Sequence, residues 1–504
     1  MKNKFYITTP IYYVNDNPHI GHAYTSLACD TIAKFKRLDG YKVKFLTGTD
    51  EHGQKIYKTA SEKKISPLEF VNQISKNFFD LNDIIGIEND DFIRTTEPRH
   101  KKAVSFLWQK LIDSGQIYLS EYSGWYAVRD ESFYDEKELI NGKAPTGADV
   151  EWIVEPCYFF KLSQWQDKLL DFYEKNPDFI RPDSRKNEVI SFVKSGLKDL
   201  CISRTTIDWG IPVPNDENHV IYVWLDALTN YITALGYPEN FDEDFWKNSL
   251  HVVGKDILKF HGIYWVAFLM AAGLNPPKQI FAHGWWTNEG VKISKSLGNV
   301  IDPVEQVKEF GSDVLRYFLL REITFGQDGN FSRNALIGRL NSDLANSYGN
   351  LVQRVLSLIV KNCDGKIPDI KNFSELKNDD KNFLSSADNC LDSIRKNIDN
   401  LEINRYIDQV WQLIFAANKY VDEQKPWSLK NTDLERMNQV LYVLVNYIKK
   451  IAILTQPILP KASSIILDSL NVSLDKRNFS NLEELLKEGH MIDLPSPIFM
   501  KTNP

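Results

Sequence analysis

Apolar and polar positions change their period several times along this chain, and each change marks an element. A strand-like run from Phe5 to Val14 leads through a polar turn into a helix-like run from Ala23 to Arg37. Lys42 to Thr47 is a second short apolar run, ending in Gly48-Thr49-Asp50-Glu51-His52-Gly53. Strands alternating with helices predict a parallel, doubly wound sheet, with ligands beyond the carboxyl ends of its strands. From Tyr118 to Phe160 the chain is aromatic and turn-rich without helical period, which predicts an inserted β-ribbon. Ile180 to Ile211 reads as irregular, punctuated by Gly196 and Gly210. Val220 to Trp224 and Leu250 to Val253 then read as strands that resume the parallel sheet, followed by Gly254-Lys255-Asp256 and a helix from Ile257 to Met270. Beyond Ala335, Leu336, Leu340, Leu344, Leu351, Val355, Leu358 and Ile359 keep the three-to-four spacing of a core-facing helix. Leu401 to Tyr420 and Met437 to Leu454 repeat it, so the C-terminal part predicts an antiparallel helix bundle.

Size and charge narrow the classes. A chain of 504 residues with 43% hydrophobic side chains has room for several domains and cores. Sixty basic against 67 acidic side chains give a formal charge of -7, which argues against a general nucleic-acid coat protein. A local basic strip on such a body still suffices to hold one specific RNA. Cys29, Cys157, Cys201, Cys363 and Cys390 form no closely spaced pair, so a reducing compartment without a disulfide framework is expected. No charged leader with an apolar core and no membrane-length apolar run is present, and a soluble, cytoplasmic protein without membrane association is the expectation.

Candidate chemistry sits in two short stretches. His19-Ile20-Gly21-His22 falls between a strand and a helix, where free backbone N–H groups and the helix dipole favour phosphate. Gly21 would leave room for a ligand to approach. Lys292-Ile293-Ser294-Lys295-Ser296 puts two lysines and two hydroxyls on a loop, a set that suits a polyphosphate. Together, in this order, they resemble the signature pair of class I aminoacyl-tRNA synthetases. Thr8 to Asn15, Thr47 to Gly53, Val223-Trp224-Leu225-Asp226-Ala227, Gly254-Lys255-Asp256, His261, His283-Gly284 and Tyr420 to Trp427 narrow the resemblance to the methionyl-tRNA synthetase family, collinear over essentially the whole chain.

The resemblance implies an α/β fold: a Rossmann-like doubly wound parallel sheet split by a β-rich connective insertion, followed by a C-terminal antiparallel helix bundle. Residues 1–115 and 216–273 would form the catalytic domain, 116–215 the insertion, 274–340 the lysine–serine loop domain and 341–504 the anticodon-binding bundle. The implied reaction activates L-methionine with ATP and Mg²⁺ and transfers it to initiator and elongator tRNA bearing a CAU anticodon. The methionine carboxylate is already ionised at pH 7, so the step needs positioning and charge neutralisation, not a general base. By resemblance the catalytic residues are His19, His22, Lys292 and Lys295, with Gly21, Gly254, Asp256 and His283 also at ATP. Ile11, Tyr13, Trp224, Ala227, Leu228, Tyr231 and His261 would enclose the methionine side chain, Tyr13 and His261 donating weakly to its sulfur, while Asp50 holds its ammonium. Asn350, Arg354 and Trp427 would read the anticodon; taken alone, Trp427 reads as well as a core tryptophan. Ile293 stands where the family motif has Met.

The chain departs from the family's zinc-binding version. Ala127 and Asp130 stand where the first cysteine knuckle would lie, and Ala144 to Gly147 lacks the second. Cys157 stands alone, and no histidine occurs between His100 and His219. No structural zinc is expected, and the ribbon would be held by Trp125, Tyr126, Phe133, Tyr134 and Trp152. A monomer is expected. A plain nucleotidyltransferase also uses the two-histidine turn but needs no helical bundle, and a non-catalytic RNA-binding descendant should have lost Lys295 or a turn histidine.

Overall fold

The computed structural model describes residues 4–293, 298–370 and 372–503, with only the backbone of Lys292. Its central sheet has seven strands, all paired in parallel. Lys4–Thr8 lies near the middle, with Ile7 opposite Phe45 of Lys42–Asp50 on one side and Leu250 of Ser249–Gly254 on the other. Tyr12–Tyr13 and Asp91–Arg94 both extend Lys42–Asp50, while Gln279–His283 and Ile180–Arg181 extend the opposite side. The chain leaves Lys4–Thr8 first towards one neighbour and much later returns to the other. That reversal opens a crevice at the carboxyl ends of the strands.

The insertion is the antiparallel ribbon its aromatic pattern predicts. Ile117–Ala127 pairs with Glu151–Phe160 from Ile117↔Phe160 to Tyr126↔Glu151, and with Ser132–Tyr134. Trp125 and Trp152 face each other across it at 5.2 Å between ring centroids. Ala127, Ala144 and Ala148 pack together where knuckle cysteines would sit, and Arg129 Nη2 donates to the Thr146 carbonyl at 2.8 Å.

Four readings of the sequence are corrected. Val220 to Trp224 is not a strand of the parallel sheet. Asp216–Ile221 belongs to a separate three-stranded antiparallel sheet, and Val223–Leu228 is already helix. Ile180 to Ile211 is not irregular, because Ile180–Arg181 joins the central sheet and Asp183–Lys194 is a helix. That helix buries only Val189 and Val193, too narrow a stripe to register as periodic. The run after Gly254 is a 3₁₀ turn, a π-helical stretch Phe260–Trp265 and then Val266–Ala271, not one regular helix. Cys157 does not stand alone: it is disulfide-bonded to Cys201, 5.9 Å away between Cα atoms. The two lie 44 residues apart and meet only because Leu200–Cys201 pairs with the end of the ribbon.

One helix connects the sheet to the bundle. Ile20–Leu38 is buried on nearly every side, since the same core runs from Leu27, Ala28 and Ile32 through Ser312–Arg321 into Ile403–Gln424 and Leu434–Thr455. Arg316 is fully buried at this junction. Its guanidinium donates to Asp30 Oδ2 at 2.7 Å, to the Pro457 carbonyl at 2.9 Å and to the Ile458 carbonyl at 3.2 Å. Burial alone would raise the Asp30 pKa, but Arg316 and Lys34 together hold it below the usual value. A fully hydrogen-bonded buried pair of this kind fixes how elements meet, and breaking it strands a charge in the core.

Candidate active site

The turn into Ile20–Leu38 is closed by two histidines that cap it reciprocally. His19 is extended, with φ −128° and ψ 177°. The Gly21 N–H donates to His19 Nδ1 at 3.1 Å, and the His19 N–H donates to His22 Nδ1 at 3.1 Å. This is a capping box with imidazoles in place of the usual hydroxyl and carboxylate. The rings stack at 3.9 Å between centroids. A β-carbon at position 21 would meet His19 Cε1 at 3.0 Å, so the glycine makes room for the capping ring; the sequence suggested room for a ligand.

Both Nδ1 atoms are acceptors, so each neutral ring carries its proton on Nε2. Burial lowers the pKa of His19, and burial with repulsion from His19 puts His22 well below the ordinary histidine value. The pair is therefore two neutral N–H donors at a helix N-terminus. The Ile20 N–H donates to the Ile301 carbonyl at 3.1 Å, tying the turn to the segment that follows the lysine–serine loop. Ser294, Lys295 and Ser296 lie outside the described residues. Ile293 lines the same cleft and packs against the core.

The other residues singled out in the first 300 positions come together. Ile11, Tyr13, Asp50, Trp224, Ala227, Leu228, Tyr231, His261, Gly254, Asp256 and His283 line one cleft of about 560 Å³ with His19, Gly21 and His22. Trp224 stacks on Phe260 at 3.7 Å between ring centroids. Asp256 folds over Gly254, where a β-carbon would meet Asp256 Oδ1 at 2.6 Å, and accepts from Trp285 Nε1 at 3.0 Å. Asp50 is buried with Oδ1 unpartnered among the described residues. Burial raises its pKa well above the usual value, and the neighbouring carboxylates of Asp226, Glu131 and Glu51 add to this. Such a carboxylate is short of one cation.

Hydrogen bonding differs from expectation at Tyr13 and His261. The Tyr13 hydroxyl donates to Glu131 Oε1 at 3.2 Å. His261 Nδ1 donates to the Ile257 carbonyl at 2.9 Å, so its Nε2 accepts from the Tyr231 hydroxyl at 2.7 Å. Neither Tyr13 nor His261 then has a proton to spare for a thioether. His283 donates through Nδ1 to the Gly284 carbonyl and accepts at Nε2 from Thr25, both at 2.8 Å, so it offers the cleft a ring edge and not an N–H.

Several residues at or behind the cleft were not legible in their structural roles. Glu131 reaches the cleft from the ribbon and also takes the Tyr126 hydroxyl. Asp226 is buried between two imidazoles, with Oδ2 at 2.6 Å from His52 Nδ1 and Oδ1 at 2.8 Å from His100 Nε2. Burial would raise its pKa, but the two histidines outweigh it and hold Asp226 down at about 2. Both partners lie more than a hundred residues from Asp226 in sequence, at separations of 174 and 126. The run Thr47 to Gly53 marked His52 without its role, and nothing local marked His100.

In the bundle, Asn350 and Arg354 stand one turn apart on Asn350–Asn362. The Arg354 guanidinium lies 5.4 Å from the Trp427 ring centroid and donates to Asp422 at 2.8 Å. Trp427 is 47% exposed, which removes the core-tryptophan reading. Lys425 in the left-handed region ends Ile403–Gln424, and Pro426 starts the short turn that displays the indole. Among the described residues no group of three His, Cys, Asp or Glu is arranged to hold a metal, and no helix is long and apolar enough to cross a membrane.

Comparison with known proteins agrees with this geometry. A family model described as tRNA synthetases class I (M) matches residues 5–153 and 137–356, and one described as the anticodon binding domain of methionyl tRNA ligase matches residues 370–503. Methionine–tRNA ligase of Rickettsia bellii is 59% identical over 507 residues, covering 99% of either chain. That of Brucella suis is 50% identical, covering 99% of this chain and 98% of its own. The solved structure of Mycobacterium tuberculosis methionyl-tRNA synthetase in complex with methionyl-adenylate superposes with a TM-score of 0.95 at 45% identity, covering 99% of this chain and all of the other.

The Asp226 bridge gives the site a testable anchor. Asp226→Asn turns one imidazole N–H towards an amide N–H and should cost about 1–3 kcal/mol of unfolding free energy at neutral pH. An aspartate depressed to about 2 contributes stability that is fully present above its unfolded pKa and lost as pH falls through the folded value. The gap between parent and variant should therefore shrink on acidification towards that value. Equal urea midpoints at neutral pH would mean the bridge carries no net stability.

Proposed function

The chain belongs to the methionyl-tRNA synthetases, and from that premise we propose how its own residues divide the work. The protein activates methionine with ATP to methionyl-adenylate and transfers the methionyl group to tRNA. The observation that carries the residue assignment is the pairing, in one cleft, of two neutral imidazole donors at a helix N-terminus with a buried carboxylate lacking a cation.

In this reading the methionine ammonium pairs with Asp50, whose buried Oδ1 has no partner among the described residues. The thioether lies among Ile11, Tyr13, Trp224, Ala227, Leu228, Tyr231 and His261, where polarizable sulfur meets aromatic faces. The selectivity comes from shape and ring contact, since the Tyr13 and His261 protons are engaged by Glu131 and Ile257. Gly254 and Asp256 meet the ATP ribose, His283 shapes the wall beside it, and ATP enters as its magnesium complex. The carboxylate oxygen attacks the α-phosphorus while the bond to pyrophosphate breaks opposite it. His19 and His22 donate Nε2–H to the phosphate oxygens as charge builds, helped by the helix dipole. Lys295, with Lys292, neutralises the departing pyrophosphate.

The chain divides at 1–115, 116–215, 216–273, 274–340 and 341–504 in this account, with Ile180–Arg181 and Gln279–His283 returning to the catalytic sheet from the segments that otherwise leave it. The ribbon needs no zinc in this reading: Ala127 and Ala144 at the knuckle positions pack on one another, and Asp130 accepts from the Tyr134 and Thr146 hydroxyls. At the far end, Trp427 stacks an unstacked base of the CAU anticodon while Arg354 and Asn350 read an edge.

Methionine-dependent pyrophosphate–ATP exchange tests the substrate assignment: methionine should exceed leucine and isoleucine by about a hundredfold. Another preferred amino acid would sink it. Lys295→Ala should slow adenylate formation far more than it weakens methionine binding, because its partner is charge that develops in the transition state. Weaker methionine binding with unchanged single-turnover chemistry would contradict that role. Trp427→Ala should cut tRNA charging about tenfold to a hundredfold while exchange stays intact, and Arg354→Ala should follow the same split. Parallel loss of both activities would place these residues in folding and not in RNA recognition.

A further inference from the structure

Outside the cleft, the cysteine pair at the root of the ribbon sits among proton-carrying side chains that neither the reaction nor the packing accounts for. Cys157 and Cys201 are buried and disulfide-bonded, while Cys29, Cys363 and Cys390 are free. The Ser203 carbonyl lies 3.3 Å from Cys157 Sγ and 3.2 Å from Cys201 Sγ, an acceptor for either sulfur once it carries a proton. The Ser203 hydroxyl oxygen is 4.0 Å from Cys157 Sγ and 3.0 Å from His219 Nδ1. On the far side of the ring, His219 Nε2 stands 3.8 Å from Asp216 Oδ2, whose side chain is 25% exposed. Cys157, Ser203, His219 and Asp216 come from three strands and lead from the buried sulfur towards solvent.

The hydrogen-bond roles fit a proton route. Ser203 Oγ accepts the Tyr158 N–H at 2.8 Å, which leaves one lone pair for a thiol S–H and one proton to donate to His219 Nδ1. His219 then carries its own proton on Nε2, on the side of Asp216. A disulfide that only staples two strands uses no such route; a thiol that must lose its proton to react does. The pair also lies next to the support of the cleft. Arg204 ion-pairs with Glu155 and lies 4.1 Å over the Tyr126 ring, and Ser203 and Arg204 pair with Ile221 and Val220. Tyr222 donates its N–H to the Ile202 carbonyl at 2.8 Å and its hydroxyl to the Glu131 carbonyl at 2.7 Å, and Val223–Leu228 begins directly after it. A bond from Cys157 to Cys201 therefore fixes the strands from which the helix carrying Trp224, Ala227 and Leu228 springs.

We propose that Cys157 and Cys201 are a reversible redox site, which hydrogen peroxide closes from two thiols to the disulfide and whose closure stiffens the wall of the methionine cleft. Cys157 passes its proton through Ser203 to His219, and the thiolate attacks one peroxide oxygen. The O–O bond breaks, giving Cys157 sulfenic acid and a hydroxide that takes the proton back from His219 as water. The Cys201 thiol then attacks the Cys157 sulfur, and its proton leaves with the departing hydroxide as a second water. Two thiols are oxidised to one disulfide and one peroxide is reduced to two waters. A dithiol reductant reverses the closure by exchange. The effect on methionine rests on the pocket reading given above; the oxidation does not.

The test treats the full chain, reduced with dithiothreitol and desalted, with hydrogen peroxide and counts the thiols alkylated after denaturation. The count should fall from five to three, with the peptide holding Cys157 joined to the one holding Cys201. His219→Gln keeps a partner for Ser203 but takes up no proton, and should slow closure about a hundredfold at an unchanged melting temperature. Asp216→Asn, at the exposed end, should slow it in the same direction. By calorimetry, methionine should bind the disulfide form about fivefold more tightly than the dithiol form, and Cys201→Ser, which cannot close, should bind as the dithiol form does. Five alkylated thiols after peroxide, or closure as fast in both the His219 and Asp216 variants as in the parent, would overturn the redox site. Equal methionine affinity of the two forms, with Trp224→Ala binding weakly, would overturn the stiffening. If Trp224→Ala binds methionine as the parent does, the pocket reading has failed and the stiffening falls with it.

Discussion

Everything at the catalytic centre hangs on how the helix Ile20–Leu38 begins. Two imidazoles close its first turn, the His19 ring accepting the Gly21 N–H and the His22 ring accepting the His19 N–H, at 3.1 Å in both cases. That choice fixes the tautomer, and the tautomer leaves both Nε2 protons for a ligand. Gly21 is required because the His19 ring folds back over it. The same helix, ten residues on, holds Asp30 against Arg316, and through Arg316 the turn between the last long helices of the bundle. One element thus sets the two neutral imidazoles at its start and anchors the C-terminal bundle from its middle.

A second constraint is the concentration of buried carboxylate beside that turn. Asp50, Asp226, Glu131 and Glu51 lie close enough to perturb one another, and the protein resolves them differently. Asp226 is hydrogen-bonded to His52 and His100 and becomes a strut for the helix that carries Trp224, Ala227 and Leu228. Glu131 is satisfied by tyrosine hydroxyls and a backbone N–H. Asp50 alone keeps a buried oxygen without a partner among the described residues, and it faces the cleft. A group left in deficit in this way is selective for what completes it, which is why the methionine ammonium is proposed for it.

Much of this was legible before the fold was known, for a physical reason. The parallel sheet, the ribbon and the bundle each impose a period on the chain, and periods survive in sequence. The two-histidine turn was legible because capping is local and spans four residues. Hydrogen-bond roles were not. Whether His261 donates to a ligand or to Ile257 depends on a π-helical stretch that no periodicity announces. Asp226 looked like part of a strand-to-helix run, and its true partners arrive from two distant segments. Val220 to Trp224 misled because a short apolar run serves the middle strand of a small antiparallel sheet as well as a parallel core. Cys157 and Cys201 looked unrelated because their proximity is a product of ribbon register.

The central claim is that His19 and His22 act as neutral Nε2–H donors and not as imidazolium cations. Nitrogen-15 chemical shifts of the two labelled imidazoles, followed through a pH titration of the ligand-free protein, test it most directly. The account predicts that both rings are neutral with the proton on Nε2 at pH 7. Protonation should begin only below the ordinary histidine range, with His22 more resistant than His19, since burial lowers both and His19 lowers His22 further. Imidazolium signals at pH 7, or a proton on Nδ1 of either ring, would contradict it.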